Sequence, residues 1–258
     1  MASLANVDAA PKTAADMTRR FQNKDEARQS VWDALQVEKA AAFPFPPHGR
    51  IPNFKGSADA ARRLFTIDPF ATAKVIKVNP DSAQRAVRLE ALRRGITVFV
   101  PTPRLAGGFM QLDPGRIPVE AYGDASTMSK CGRHARTVAL VDLPQFDAIV
   151  CGSVAVTREG FRCGKGAGFA DMEFAILAEL GHRPVPVATT VHELQIVKGL
   201  PQTRTDLPLS VIVTPDEIIR TGRAVSASPG IDWNQLDEEA MAEMPVLQEL
   251  RALKRSSQ

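Results

Sequence analysis

A single tyrosine, two tryptophans and twelve phenylalanines are all the aromatic residues in this 258-residue chain. No segment interleaves them with basic residues, so the aromatic strands on which an RNA-recognition module stacks bases are missing. The net charge of +3 is small, and the arginines are scattered through helical stretches such as Ala61-Arg62-Arg63 and Leu92-Arg93-Arg94. Nucleic acid is therefore not an expected partner. Only three cysteines occur, Cys131, Cys151 and Cys163, with none of the C-x-x-C spacing that zinc and redox sites use. They are expected as reduced thiols that fill space. No apolar run approaches the roughly 20 residues of a membrane span, and the first 20 residues hold no apolar stretch suited to a signal peptide. A cytoplasmic chain without a membrane partner is the expectation.

What is present is ordinary globular composition, 44% hydrophobic and 24% charged, enough at this length to bury one full core. One large domain with extensions fits better than two. Residues 1–22 lack periodicity and read as a loose arm, residues 23–222 as the domain, and residues 223–258 as a polar extension with up to two peripheral helices. A helix fits Asp25 to about Ala42, with Val31 and Leu35 on one face. Phe43 to Gly56 carries Pro44, Pro46, Pro47 and Pro52, which remove donors and forbid helix, so this stretch is a long connection.

From Ser57 helix and strand alternate. Short helices fit Ser57–Leu64 and Pro69–Ala73, a strand Val75–Val78, a helix Ser82–Arg94 closed by Gly95, and a strand Ile96–Val100. Further strands fit Thr137–Val141, Ala148–Cys151, Val185–Val191 and Leu209–Val213, with a helix from about Asp171 to Leu180 ended by Gly181. Thr214-Pro215-Asp216-Glu217 carries the pattern of a helix start, a capping hydroxyl with proline in the first turn and glutamate three residues on. Strands separated by helices predict a mainly parallel sheet covered on both faces, with ligands beyond the carboxyl ends of the strands.

The sharpest motif is Gly160-Phe161-Arg162-Cys163-Gly164-Lys165-Gly166-Ala167-Gly168-Phe169-Ala170-Asp171. Glycines at 164, 166 and 168 let backbone amides converge on an anion, the following helix adds its dipole, and Arg162 and Lys165 add positive charge. The spacing is not that of a Walker A loop. On spacing alone, a phosphate site and a tight strand-to-helix turn are equally good readings.

The segment resembles the signature of the 5-formyltetrahydrofolate cyclo-ligase family, also called methenyltetrahydrofolate synthetases, which reads approximately G-x-R-x-G-x-G-x-G-aromatic-Tyr-Asp-Arg. The likeness extends to Lys24 and Arg28 as the early K-x-x-x-R, to Phe146–Val156 before the loop, and to Pro184–Thr214 with His192 and Gln195. It is strongest to the methenyltetrahydrofolate synthetase domain-containing branch, through Ile51-Pro52-Asn53-Phe54-Lys55-Gly56, Pro101-Thr102-Pro103-Arg104-Leu105, Gly152–Val156 and the Ala170, Asp171, Glu173 pattern. Some members of that branch carry a C-terminal RNA-binding module, which is not expected here.

The resemblance implies a NagB/RpiA/CoA-transferase-like layered α/β fold, a monomer, and a reduced folate as small-molecule substrate. It implies that Lys24, Arg28, Gly164, Lys165, Gly166, Ala167, Gly168 and Phe169 hold ATP, with Arg162 and Lys165 near the transferring phosphate. Arg28 and Asp81 would touch the folate, and Asp171 and Asp206 would bind Mg²⁺. In the family reaction the formyl oxygen takes the γ-phosphate of ATP, and N10 then closes the ring to give 5,10-methenyltetrahydrofolate with ADP and phosphate. Each residue also has a plain reading: a solvated basic face for Lys24 and Arg28, a helix-start aspartate for Asp171, and turn residues for Asp81 and Asp206.

Two departures stand out. The signature Tyr-Asp-Arg becomes Ala170-Asp171-Met172, removing a hydroxyl and a planar guanidinium from the substrate side. A family glutamate becomes Asp81. These leave room for an ATP-using relative acting on another substrate, thiamine-related chemistry included, or for a non-catalytic ligand-binding protein.

Overall fold

The computed structural model describes residues 20–236, 241 and 244–256. Three helices and two strands lead into the sheet: α1 (Lys24–Val37), α2 (Ser57–Leu64), β1 (Val75–Val78), α3 (Arg85–Arg93) and β2 (Thr97–Pro101). They are followed by β3 (Phe109–Leu112), β4 (Arg136–Val138), β5 (Ala148–Cys151), β6 (Ala155–Val156), β7 (Arg162–Cys163) and α4 (Phe169–Glu179). The chain ends with β8 (Val187–Thr190), β9 (Val211–Val213), β10 (Ile218–Arg220) and α5 (Val246–Ser256).

Eight strands form one sheet in the order β10-β9-β8-β5-β1-β2-β3-β4. The five inner strands, β9, β8, β5, β1 and β2, are parallel, and the outer β10, β3 and β4 run antiparallel to their neighbours. The result is the mainly parallel sheet flanked by helices that the alternating pattern predicts. Strand alternation divides the core into two layers. Ile76, Val78, Val98, Val100 and Val150 pack with α2 and α3 on one face. Phe99, Ile149, Cys151, Val187 and Ile212 pack with α4 and α5 on the other.

Several expected boundaries shift. The first helix stops at Val37, and Lys39 takes φ 52° to turn the chain into the proline-rich stretch; Asn23 caps its start by accepting from the Asp25 amide. Pro69–Ala73 forms turns rather than a helix. Thr214 does accept hydrogen bonds from the Asp216 and Glu217 amides, but its own amide donates to the Glu217 carbonyl, and the chain reverses into β10. The same local hydroxyl pattern serves a helix start and a hairpin turn, which is why the expected helix is a strand. Residues 1–19 of the expected arm lie outside the described residues. Phe21 is not loose: it is buried, and its amide donates to Gly199. In the C-terminal extension, α5 places Val246, Leu247 and Leu250 in the second core layer.

Gly160 closes the β6-β7 hairpin against the segment that leads into β9. It holds φ 86°, and a methyl group there would lie 2.4 Å from the Leu209 carbonyl oxygen, an atom fixed because the Leu209 amide itself donates to Gly160. Gly160→Ala is therefore expected to destabilise the chain by about 3 kcal/mol, read as a fall in Tm of roughly 6–12 °C. An unchanged melting curve would show that the hairpin yields freely.

Candidate active site

In the strand order the chain runs outward in both directions from β1, so the sheet reverses between β1 and β5, and crevices in open parallel sheets lie at such reversals beyond the carboxyl ends of the strands. Asn79, the residue after β1, and Gly152, the residue after β5, both line a cleft of about 790 Å³. The sites expected from sequence converge there. Lys24, Arg28, Asp81, Arg162, every residue from Gly164 to Phe169, Asp171 and Asp206 line this one cleft.

The glycine loop spans β7 and α4, as the sequence motif requires. A side chain at Gly164 would force the Arg162 guanidinium to shift, since a methyl group would sit 2.7 Å from it. Arg162 is buried beneath the loop, donating to Asp171 Oδ1 at 2.9 Å and to the Gly152 carbonyl at 3.1 Å. Asp171 Oδ1 also accepts from the Leu207 amide at 2.9 Å. Arg162 thus acts as a strut under the loop rather than as an exposed cation. From the side, α1 presents two cations one turn apart. Arg28 Nε donates to the Gly164 carbonyl at 2.6 Å, and Lys24 Nζ lies 2.7 Å from both oxygens of Asp206. Burial works against the Asp206 charge, but hydrogen bonds from Lys24 and Thr203 prevail and hold its carboxyl below the ordinary range. Lys165 reaches Asp81 across the cleft at 3.4 Å, a long, partly exposed contact of little energetic weight.

A buried polar cluster, which sequence reasoning missed, forms the floor. Alternation along β1 turns Lys77 toward α4, and it is only 1% exposed. A buried ammonium requires a partner, and Glu173 on α4 supplies it, with Asn79 Oδ1 accepting from Lys77 at 2.9 Å. Asn79 Nδ2 donates in turn to Glu173 at 3.3 Å. Burial raises the Glu173 carboxyl, and Lys77 opposes that rise. The signal was a lysine inside the apolar run Val75-Ile76-Lys77-Val78, but its partner lies 96 residues away. Beneath the turn at Asn79-Pro80-Asp81 lies Arg88, also fully buried. It donates to the backbone carbonyls of Asn79, Asp81 and Ser126, and burial pulls its guanidinium down to about 10.

The expected magnesium ligands differ in what they can offer. Asp206 commits both oxygens to Lys24 and Thr203. Asp171 commits only Oδ1, so its Oδ2 is open to a cation. Among the described residues no group of three or more His, Cys, Asp and Glu side chains could hold a metal by itself. One carboxylate suits a magnesium ion whose remaining ligands are phosphate and water; Asp206, paired with Lys24 here, would have to exchange that partner to join it. The three cysteines are buried and free, and burial pushes each thiol up in pKa, as space-filling thiols require. His192 makes a structural bond, its Nδ1 accepting from the Leu194 amide at 3.3 Å.

The model of the 5-formyltetrahydrofolate cyclo-ligase family matches residues 20–215. The chain belongs to this family. It is 38% identical over 241 residues to the methenyltetrahydrofolate synthase domain-containing protein of Mus musculus, across 91% of this chain and 64% of the mouse protein. It therefore spans less than two thirds of the length of that relative. To the 5-formyltetrahydrofolate cyclo-ligase of Escherichia coli (strain K12) it is 32% identical over 170 residues, 62% of this chain and 87% of that enzyme. The solved 5,10-methenyltetrahydrofolate synthetase of Aquifex aeolicus superposes with a TM-score of 0.50 at 19% identity, covering 83% of this chain and 99% of that one, which speaks for the fold.

Against the cyclo-ligase signature, the departures at residues 170 and 172 have a structural counterpart. Ala170 and Met172 pack against the second core layer, so the place of the signature guanidinium is taken by a thioether in contact with the core. The polar side chain that α4 sends to the cleft floor is Glu173. Among the described residues no helix is long and apolar enough to cross a membrane.

Proposed function

We propose that this chain is an ATP- and Mg²⁺-dependent 5-formyltetrahydrofolate cyclo-ligase, or a close derivative of one, forming 5,10-methenyltetrahydrofolate with ADP and phosphate in the cytoplasm as a monomer. The observation that carries the reading is the convergence of Lys24, Arg28, the Gly164–Gly168 loop and Asp81 on one cleft at the sheet reversal.

The chain's own residues have a consistent division of labour. The loop amides and the start of α4 offer donors to an anion. Lys24 and Arg28 bring positive charge from α1, and Lys165 brings a mobile cation from the loop itself. Arg162 fixes the loop's shape from below through Gly152 and Asp171. Asp171 Oδ2 is the carboxylate oxygen available to a magnesium ion held mainly by phosphates. ATP would supply the phosphoryl group that turns the formyl oxygen into a leaving group. Nothing in this chemistry demands a nucleophile or an acid-base triad; the protein's task is to align two anionic ligands and stabilise transferring charge.

Calorimetry of ATP with Mg²⁺, repeated with 5-formyltetrahydrofolate while methenyl absorbance is followed, tests the reading. Binding of both ligands with a rise in absorbance is the expected outcome. ATP binding without turnover would favour a second reading, an ATP-using relative with another substrate, for which Ala170 and Met172 are the specific support.

A further inference from the structure

We infer that Glu173, held by Lys77 and Asn79, is the residue that selects the second ligand of the cleft, by accepting a hydrogen bond from a neutral N–H edge of a heterocyclic ring. This inference rests on the proposed two-ligand reading and names the chemistry of its non-nucleotide half.

Three observations carry it. Glu173 and Asn79 line the cleft, although Glu173 is 3% exposed and Lys77 1%. Both bonds to the Glu173 carboxylate, from Lys77 Nζ and Asn79 Nδ2, go to Oε2. Oε1 enters neither bond, and it is not among the buried polar atoms without a partner; it is the carboxylate's face toward the cleft. A charge-assisted acceptor in so enclosed a place is strong when it is met by a donor and expensive when it is not.

The charge balance decides the kind of ligand. Lys77 and Glu173 cancel, and Asn79 is neutral, so the floor has no net charge with which to draw in a phosphate or a carboxylate. Anionic groups belong at the other side, where Lys24, Arg28 and the loop lie. A cationic group on the floor would have to displace Lys77 from its partner. What remains is a neutral ring edge with amino or imino N–H groups, as in a reduced pterin. Adenine presents the same chemistry, but Asp81 sits two residues beyond Asn79 on the same turn, which Arg88 holds beside the floor. Under the proposed function Asp81 faces the non-nucleotide ligand, which puts the adjoining floor on that side of the cleft.

The deciding variant is Lys77→Met with Glu173→Leu. Exchanging both members removes the buried pair without leaving a lone charge, though Asn79 loses its two side-chain partners, so a melting curve recorded beside the calorimetry separates stability from ligand affinity. Calorimetry on the full chain is expected to show ATP·Mg²⁺ affinity within about threefold of the parent, and 5-formyltetrahydrofolate affinity weakened roughly 10- to 100-fold. Unchanged affinity for both ligands would overturn the inference, as would loss of ATP with folate retained, which would assign the floor to adenine. If the parent itself fails to bind 5-formyltetrahydrofolate, the cyclo-ligase reading falls, and the floor is then tested with pterin, cytosine and 2-aminopyrimidine as probes. Binding of any of these to the parent and its loss in the double variant would uphold the inference; no binding by any of them would end it.

Discussion

Replacing Arg88 with methionine is expected to remove about 3–5 kcal/mol of stability, a fall in Tm of roughly 10 °C or more. The side chain is fully buried and donates to three backbone carbonyls, at Asn79, Asp81 and Ser126. Methionine fills comparable volume without donors, leaving those acceptors dry and unsatisfied, at about 1–3 kcal/mol for each that cannot find water. Lysine should recover only part of the loss, because a single ammonium cannot match a guanidinium fork spread over three acceptors. The loss should not be confined to stability. Arg88 fixes the turn that presents Asp81 to the cleft, so ligand affinity should fall in the same variant even at temperatures where it is fully folded. A melting curve and a titration at low temperature separate the two effects. Parent-like melting would mean that water already satisfies those carbonyls.

Arg28→Ala is expected to lower ATP-dependent turnover roughly 10²- to 10³-fold, the scale seen when one preorganised donor of a charge-stabilising site is removed. Arg28 holds two roles at once. Its Nε fixes the Gly164 carbonyl at 2.6 Å, which keeps the loop amides free to face a ligand, and its charge stands beside Gly166, whose added methyl would lie 3.8 Å from the guanidinium carbon. Arg28→Lys should restore charge without restoring loop geometry and should recover only a small part of the rate. Titration with ATP·Mg²⁺ should show weakened binding in both variants. Full ATP affinity in Arg28→Ala would place the nucleotide elsewhere in the cleft.

Much of this was legible in the sequence, for local reasons. Val75–Val78 and Ala148–Cys151 are short apolar runs bounded by turn residues, and the structure gives them the same limits. The glycine motif was readable because its function is written in consecutive residues, and α1 presents Lys24 and Arg28 together because four residues make one helical turn. What escaped reading depended on distance. β3 shows no clean alternation, since its two inner residues are both half-buried. β10 hides behind a hydroxyl pattern shared with helix starts. The pairing of Lys77 with Glu173 could not be drawn from either residue, because only the packing of α4 against the face of the sheet brings them together. That Asp206 pairs with Lys24 and Thr203 is likewise invisible in composition, because the three residues meet only in the folded chain.

The strand order also constrains how the molecule can be assembled. β2, β3 and β4 each join a growing sheet on one side of β1, and β5, β8, β9 and β10 then join in turn on the other. Every strand adds to an edge that already exists, and none has to push between two strands already paired. A chain emerging from the ribosome can therefore build the sheet in the order of synthesis. Until Ala148–Cys151 emerges, however, the flank of β1 stands open with its backbone groups unpaired, the kind of edge that recruits other chains. Lys77 waits longer still, since Glu173 is translated after β5. The polar floor is thus among the last parts of the cleft to close, and a fragment ending before Ala148 would expose an adhesive edge and leave Lys77 without its carboxylate partner.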